Sequence, residues 1–229
     1  MKRIIISDTH IGSRFYKSKE LLSFLKKEDY DQLILAGDII DFIKLPVFTE
    51  RCMEILEAID YSKEIVYVVG NHDESLVGLV GKQFFNIKFV KRYEFQDGKR
   101  KFRIEHGDIY DKGMIHNRIF IKILSVIQSM LEITFNFDFT TWWTEIQIKK
   151  HKLRNIIHIL RHHPGIDVFI MGHMHIPEAL IWVDQDQNIK TYINAGDWVT
   201  HQTYVAIEDG IAHLRKFKSA TVLHEKATH

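Results

Sequence analysis

Apolar residues near the start of the chain follow two alternating patterns. Short runs rich in Ile, Leu and Val, at Arg3–Ser7, Gln32–Ala36 and Glu64–Val69, read as buried strands. Between them, Lys19–Lys27 carries apolar residues at positions 21, 22, 24 and 25. Glu50–Ile59 likewise puts Cys52, Met53, Ile55, Leu56 and Ile59 on one side. Both spacings predict short amphipathic helices. The order βαβαβ predicts a parallel sheet with right-handed crossovers.

The pattern then changes. Lys91–Phe95 and Arg100–Glu105 flank Asp97-Gly98, a hairpin signal. Asp167–Met171, Ala179–Val183, Lys190–Ile193, Thr203–Ile207 and Ile211–Phe217 read as further short strands, with turns at Gln185–Asn188 and Asp209-Gly210. A parallel half followed by a hairpin half predicts an α/β fold: two sheets packed face to face as a sandwich, with helices outside. Tyr110–His163 reads as a long helical insertion in a single domain of residues 1–229, covering approximately residues 110–165 and lying over the functional rim.

Composition refines this. The length of 229 residues suits one domain with an insertion, and the net charge of +1 argues against an obligate nucleic-acid partner. The single Cys52 excludes a disulfide framework and a thiolate zinc site. Met1–Ser7 is too short in apolar residues for a signal peptide, and no stretch reaches the length of a membrane span. The expected location is the cytoplasm. The insertion carries eight Lys/Arg against four Asp/Glu, so the remainder is slightly acidic. Its middle holds Leu131, Ile133, Phe135, Phe137, Phe139, Trp142 and Trp143. Its end, Ile146–Ile166, has no acid but carries Lys149, Lys150, Lys152, Arg154 and Arg161. Such a helix could rest on an anionic membrane surface as a peripheral contact at the inner face. The plainer reading is a packed aromatic core with a solvated basic face.

The chain holds 14 histidines, and five of them stand in motifs just after predicted strands. These motifs are Asp8-Thr9-His10, Gly37-Asp38-Ile39-Ile40-Asp41, Gly70-Asn71-His72-Asp73, His106-Gly107-Asp108 and Gly172-His173-Met174-His175. Ligands of open α/β sheets bind beyond the carboxyl ends of the strands, so all five motifs project toward one rim. Each alone is weak, because an Asp at a strand end often caps a helix and a Gly often serves a turn. Together, so many carboxylates and imidazoles would waste desolvation energy unless a cation sat among them. Imidazole and oxygen donors without thiolate suit Mn, Fe, Zn or Co. The seven donors Asp8, His10, Asp38, Asn71, His106, His173 and His175 exceed one tetrahedral zinc and suit two divalent ions sharing a carboxylate.

The ordered series D-x-H, G-D-x-x-D, G-N-H-D, H-G-D, G-H-x-H resembles the calcineurin-like metallophosphoesterase superfamily, from Asp8 to His175. The resemblance implies a β-sandwich flanked by helices and two metal ions, manganese first among them. It implies that Asp8, His10 and His175 bind one ion, that Asn71, His106 and His173 bind the second, and that Asp38 bridges them. Metal-activated water would then attack phosphorus. His72 would protonate the leaving oxygen or stabilise transition-state charge, Asp73 would orient His72, and Asp41 would hold a ligand in place.

The pair G-H-x-H-x-P (Gly172–Pro177) and Y-x-N-x-G-D-W (Tyr192–Trp198) is similar to the UDP-2,3-diacylglucosamine diphosphatase branch. That likeness implies cleavage of the pyrophosphate of a lipid-linked UDP sugar, as in lipid A biosynthesis, beneath a helical insertion that holds acyl chains. Trp142, Trp143, Lys150, Arg154 and Asp197 are the corresponding expected substrate contacts. The chain departs from the best-known lipid A enzymes in having His72 where they carry Arg, and in Asp41-Phe42-Ile43-Lys44-Leu45 after the second motif. A phosphodiesterase acting on soluble nucleotides or nucleic-acid ends is therefore the alternative. A scaffold that lost its chemistry fits less well, because the donor set is complete.

Overall fold

The computed structural model describes residues 1–42, 49–110 and 163–218, together with Met130 and Thr134. The chain opens with β1 (Arg3–Ile6), α1 (Ser18–Lys27), β2 (Gln32–Ala36), α2 (Glu50–Glu57) and β3 (Glu64–Val68). A 3-10 segment, Glu74–Leu79, leads to β4 (Gln83–Phe84), β5 (Ile87–Val90), β6 (Arg92–Asp97) and β7 (Arg100–Glu105). After the insertion come β8 (Val168–Met171), β9 (Glu178–Val183), β10 (Ile189–Asn194), β11 (Thr203–Glu208) and β12 (Ile211–Lys216).

These strands make two mixed sheets. The first runs β12-β11-β1-β2-β3-β5-β4 and the second β6-β7-β8-β10-β9. The pairs β1–β2 and β2–β3 are parallel, as the βαβαβ pattern requires, and β3–β5 is parallel as well. Alternation along each strand sorts the core into layers. Ile5, Ile34, Val66 and Val68 meet Phe102, Ile104, Val168, Ile170 and Ile193 of the second sheet in a dry seam. Their neighbours Ile4, Ile6, Leu33, Leu35, Ile65 and Tyr67 face the other way, onto Leu21, Phe24 and Leu25 of α1 and Cys52 and Ile55 of α2. The predicted sandwich with outer helices is thus the observed fold.

Three local expectations change. Met53 lies one residue off the inward stripe of α2 and is 51% exposed, whereas Cys52 and Ile55 are fully buried. The β6–β7 hairpin turns at Gly98-Lys99, because Asp97 pairs with Arg100 and Gly98 supplies the left-handed position at φ +59°. The short β4–β5 hairpin was not expected. Its strands bury only Phe89 fully, with Ile87 and Val90 partly buried, too few buried residues for a periodic signal. Most of the insertion, including Trp142, Trp143, Lys150 and Arg154, lies outside the described residues. Among the described residues, no helix is long and apolar enough to cross a membrane.

Candidate active site

Parallel strands β1, β2, β3 and β8 all end at one rim, and the loops after them zip together through their backbones. Asp8 N–H donates to Gly37 O at 3.0 Å, His10 N–H to Asp38 O at 3.0 Å, and Gly172 N–H to His106 O at 3.0 Å. The loop after β10 joins them, with Trp198 N–H donating to Asp8 O at 3.1 Å. Asn194 ties it to the β8 loop, donating from Nδ2 to Gly172 O at 2.7 Å.

Left-handed backbone aims the side chains. Asp8, His10, Asp38, His173 and His175 all have positive φ, between 46° and 65°. Such conformations are uncommon for residues with a Cβ and cluster at functional sites. The glycines beside them make room. A Cβ on Gly172 would lie 1.8 Å from Ser7 Oγ and 2.3 Å from Asp8 Oδ2, one on Gly70 2.2 Å from Asp38 Oδ1, and one on Gly37 2.4 Å from His106 Nδ1.

All seven predicted donors converge. Donor atoms of Asp8, His10 and His175 lie within 4.8 Å of one another, and so do those of Asp38, His106 and His173. Asn71 Oδ1 is 3.1 Å from His106 Nε2, which is also 3.1 Å from Asp38 Oδ2. His10 Nε2 and His175 Nε2 stand 3.3 Å apart, joining the groups toward Asp8. Asp8 and Asp38 are buried; the Asp8 carboxylate lies 3.2 Å from His175 Nε2 and accepts from His173 N–H at 2.9 Å, and the Asp38 carboxylate lies 3.1 Å from His106 Nε2.

The buried carboxylates and imidazoles of the cluster compensate one another's charge. Burial would raise the Asp8 carboxyl, but the charges of His175 and His106 together outweigh it and hold it at about 2. Asp38 is held well below the carboxylate range, burial being outweighed by His106 and His72. Burial disfavours the imidazolium of His106 and His175, yet Asp38 lifts the first to about 10 and Asp8 lifts the second to about 9.

These residues fit divalent ions. Asp8 Oδ1 is buried with no hydrogen-bond partner, an orphan that a cation would satisfy. His106 Nδ1–H donates to Ala36 O at 3.1 Å, which turns Nε2 into the cluster as the nitrogen that could ligate a cation once deprotonated. Ser7, not foreseen, sets Asp8 from behind, with Oγ 2.5 Å from Asp8 Oδ2.

Two expected roles are corrected. Asp73 does not orient His72. Its oxygens accept from Tyr67 Oη at 2.9 Å and from the N–H groups of Ile39, Ile40 and Gly70, so it locks the β2 loop to the β3 loop. The carboxylate facing His72 is Asp41, whose Oδ1 lies 3.0 Å from His72 Nδ1 while Oδ2 lies 3.7 Å from His10 Nδ1. Burial works against the His72 imidazolium, but Asp38 and then Asp41 raise its pKa above the usual value. Asp197 cannot touch substrate, because it is 0% exposed and its oxygens are turned inward onto backbone N–H groups and His201. Its link to His201 lay in an i, i+4 spacing within the β10–β11 connection, a signal too common to single out.

The calcineurin-like phosphoesterase family matches residues 1–177, most of the chain and all five motifs. The chain belongs to that family. As a calcineurin-like phosphoesterase it is a metal-dependent phosphoester hydrolase. It is similar to a UDP-2,3-diacylglucosamine hydrolase of Porphyromonas gingivalis, with 21% identity over 89% of this chain and 92% of that protein. Among solved structures, it is similar to the Escherichia coli phosphoesterase Yfce, with 12% identity, coverage of 95% and 94%, and a TM-score of 0.47. It is also similar to Vps29 of Entamoeba histolytica complexed with zinc, with 12% identity, coverage of 94% and 97%, and a TM-score of 0.46.

Proposed function

We propose that this phosphoesterase is a two-metal pyrophosphohydrolase of a lipid-linked UDP sugar such as UDP-2,3-diacylglucosamine. The observation that carries the two-metal reading is the paired geometry around Asp38. Donor atoms of Asp8, His10 and His175 form one group and those of Asp38, His106 and His173 another, with Asn71 Oδ1 3.1 Å from His106 Nε2, and Asp38 also groups with His10 and His72. Asp8, His10 and His175 would hold one ion, Asn71, His106 and His173 the second, with Asp38 common to both. Two divalent ions, manganese first among the candidates, would supply Lewis acidity for phosphoryl transfer and would lower the pKa of water.

The chain's own residues do the rest. Asp41 holds the His72 ring through Nδ1 and favours its protonated form, so His72 Nε2 is placed to give a proton to the leaving oxygen. Asp38 Oδ1 accepts from the His72 backbone N–H at 2.8 Å, which fixes the acid relative to the shared carboxylate. Asp73 and Tyr67 keep the two loops in register behind it.

The substrate class is supported by the 21% relative and by the Gly172–Pro177 and Tyr192–Trp198 motif pair. The basic, aromatic insertion is then the segment that meets the lipid, and the enzyme works at the cytoplasmic face of a membrane. The test is a substrate panel with manganese: UDP-sugar lipids, nucleotide pyrophosphates, cyclic nucleotides and bis-p-nitrophenyl phosphate. The reading requires the UDP-sugar lipid to have the highest kcat/KM and to yield UMP. Preference for a soluble nucleotide would replace the lipid with the phosphodiesterase alternative. Failure on every ester would remove the enzymatic reading.

A further inference from the structure

Asp197 has two different edges. Its Oδ1 accepts three backbone N–H groups, from Val199 at 2.9 Å, Thr200 at 2.5 Å and His201 at 2.9 Å. Its Oδ2 faces two imidazoles, with His201 Nδ1 at 2.9 Å and His175 Nδ1 at 3.7 Å. His175 Nδ1 is buried and has no hydrogen-bond partner, so this carboxylate oxygen is the acceptor nearest to hand. The other nitrogen of the same ring, Nε2, points into the cluster 3.2 Å from Asp8 Oδ1.

We propose that Asp197, clamped by His201, is the positioning carboxylate that fixes the proton of His175 on Nδ1 and so presents Nε2 as a metal donor. The inference rests on the two-metal reading and adds two residues to it. An imidazole binds a cation only through an unprotonated nitrogen, and the hydrogen bond made by the opposite nitrogen decides which one that is. His106 solves the problem with a backbone carbonyl, Ala36 O. For His175, Asp197 Oδ2 fills that place, and His201 holds the oxygen there from the partly exposed side. The G-D-W segment therefore contributes to the metal site through a histidine, and its Asp never meets the substrate.

The two edges allow the roles to be separated. In Asp197→Asn the amide oxygen can keep the three backbone bonds of Oδ1. The amide nitrogen that replaces Oδ2 accepts nothing, so the acceptor that faces His175 Nδ1 at 3.7 Å is lost while the turn survives. His201→Ala removes the clamp alone. The experiment is calorimetric titration of the metal-free protein with manganese, paired with electron paramagnetic resonance of the loaded protein. Wild type should bind two ions and give a spin-coupled signal. Asp197→Asn should weaken one ion by about 10–100-fold and show an uncoupled mononuclear signal when that ion is limiting. His201→Ala should shift the same ion in the same direction by less. Thermal melts of the metal-free proteins should show Asp197→Asn folded. If Asp197→Asn is folded and binds both ions as wild type does, the inference is overturned and the two-metal reading stands. If wild type itself binds no more than one ion, the two-metal reading fails first. If Asp197→Asn does not fold, His201→Ala decides: unchanged binding of both ions overturns the inference.

Discussion

Gly70→Ala is the substitution that most directly tests whether Asp38 is the shared carboxylate. Gly70 is not itself a donor, and its φ lies outside the left-handed region, so the added methyl acts through space alone. That methyl would sit 2.2 Å from Asp38 Oδ1, 3.1 Å from its Cγ and 2.6 Å from its backbone nitrogen. Ordinary contact needs about 3.5 Å, so the carboxylate must retreat by roughly 1 Å, and the backbone nitrogen blocks the alternative of moving the methyl. A 1 Å misplacement of a catalytic group costs about 100-fold, equivalent to about 2.7 kcal/mol of transition-state stabilisation. The same crowding should destabilise the fold by about 1–3 kcal/mol. Gly78→Ala is the control, because nothing lies within 4 Å of its Cβ position. The assay is manganese-dependent hydrolysis of bis-p-nitrophenyl phosphate, with bound manganese counted on the same samples. Gly70→Ala should lose about two orders of magnitude in kcat/KM and at least one ion, whereas Gly78→Ala should match wild type. A Gly70→Ala protein with two ions and activity within about threefold of wild type, well short of the hundredfold loss, would show that Asp38 does not carry the site.

Removing a donor should act on metal and activity together. His10→Ala or Asp38→Ala should each lose bound manganese by elemental analysis and hydrolysis by assay, and retention of two ions would refute the assignment. His72→Ala should keep both ions but lower kcat by about 10²–10⁴, with Asp41→Asn falling part of the way, and an unchanged kcat would remove His72 as the proton donor. The metal-free protein should become less stable as pH rises. His106 at about 10 and His175 at about 9 lie above the unfolded value, so their stabilisation is complete below pH 6.5 and is lost as pH climbs through 9 to 10. Manganese affinity should move the opposite way over that interval, because ligation displaces those protons. Melting curves with chelator and with manganese at pH 6.5 and 9.5 check both signs, and a metal-free Tm that rises with pH would contradict the pairing.

The sequence carried the layer order because it is written in local periods. Ile4, Ile5 and Ile6 form a strand buried on both faces, and the amphipathic stripes of α1 and α2 fix which face of the first sheet they cover. The donors were legible for a different reason: each stands next to a strand end, and strand ends of a parallel sheet share a rim. Asp41 and Asp73 could not be told apart in this way. Both follow a His or Asp motif by a short step, and only the folded backbone shows that Asp41 turns to His72 while Asp73 turns inward to Tyr67. Asp197 was misread because an Asp in a motif similar to a substrate-handling family says nothing about burial. His201 escaped notice because its partner is a single carboxylate in a loop, a pairing that most i, i+4 spacings never realise. The β4–β5 hairpin was missed for want of buried residues, as was the one-residue shift of the Gly98-Lys99 turn, which depends on pairing register and not on composition.

The five left-handed donors explain why these motifs take the form they do. A left-handed residue costs about 1–2 kcal/mol when it has a Cβ, and glycine would avoid the cost but supply no donor. The chain divides the two needs between adjacent positions. Asp8, His10, Asp38, His173 and His175 accept the strained conformation, while Gly37, Gly70 and Gly172 stand where donor side chains leave no room for a Cβ. No loop holds its own strain. The β1 loop is bonded to the β2 loop through Gly37 and Asp38, the β8 loop to the strand end at His106, and the β10 loop to Asp8. Asp8, His10, Asp38 and His173 are therefore held by segments distant in sequence. That interdependence is also why a methyl on Gly70 or an amide at Asp197 is expected to disturb the donor set although neither residue is itself a donor.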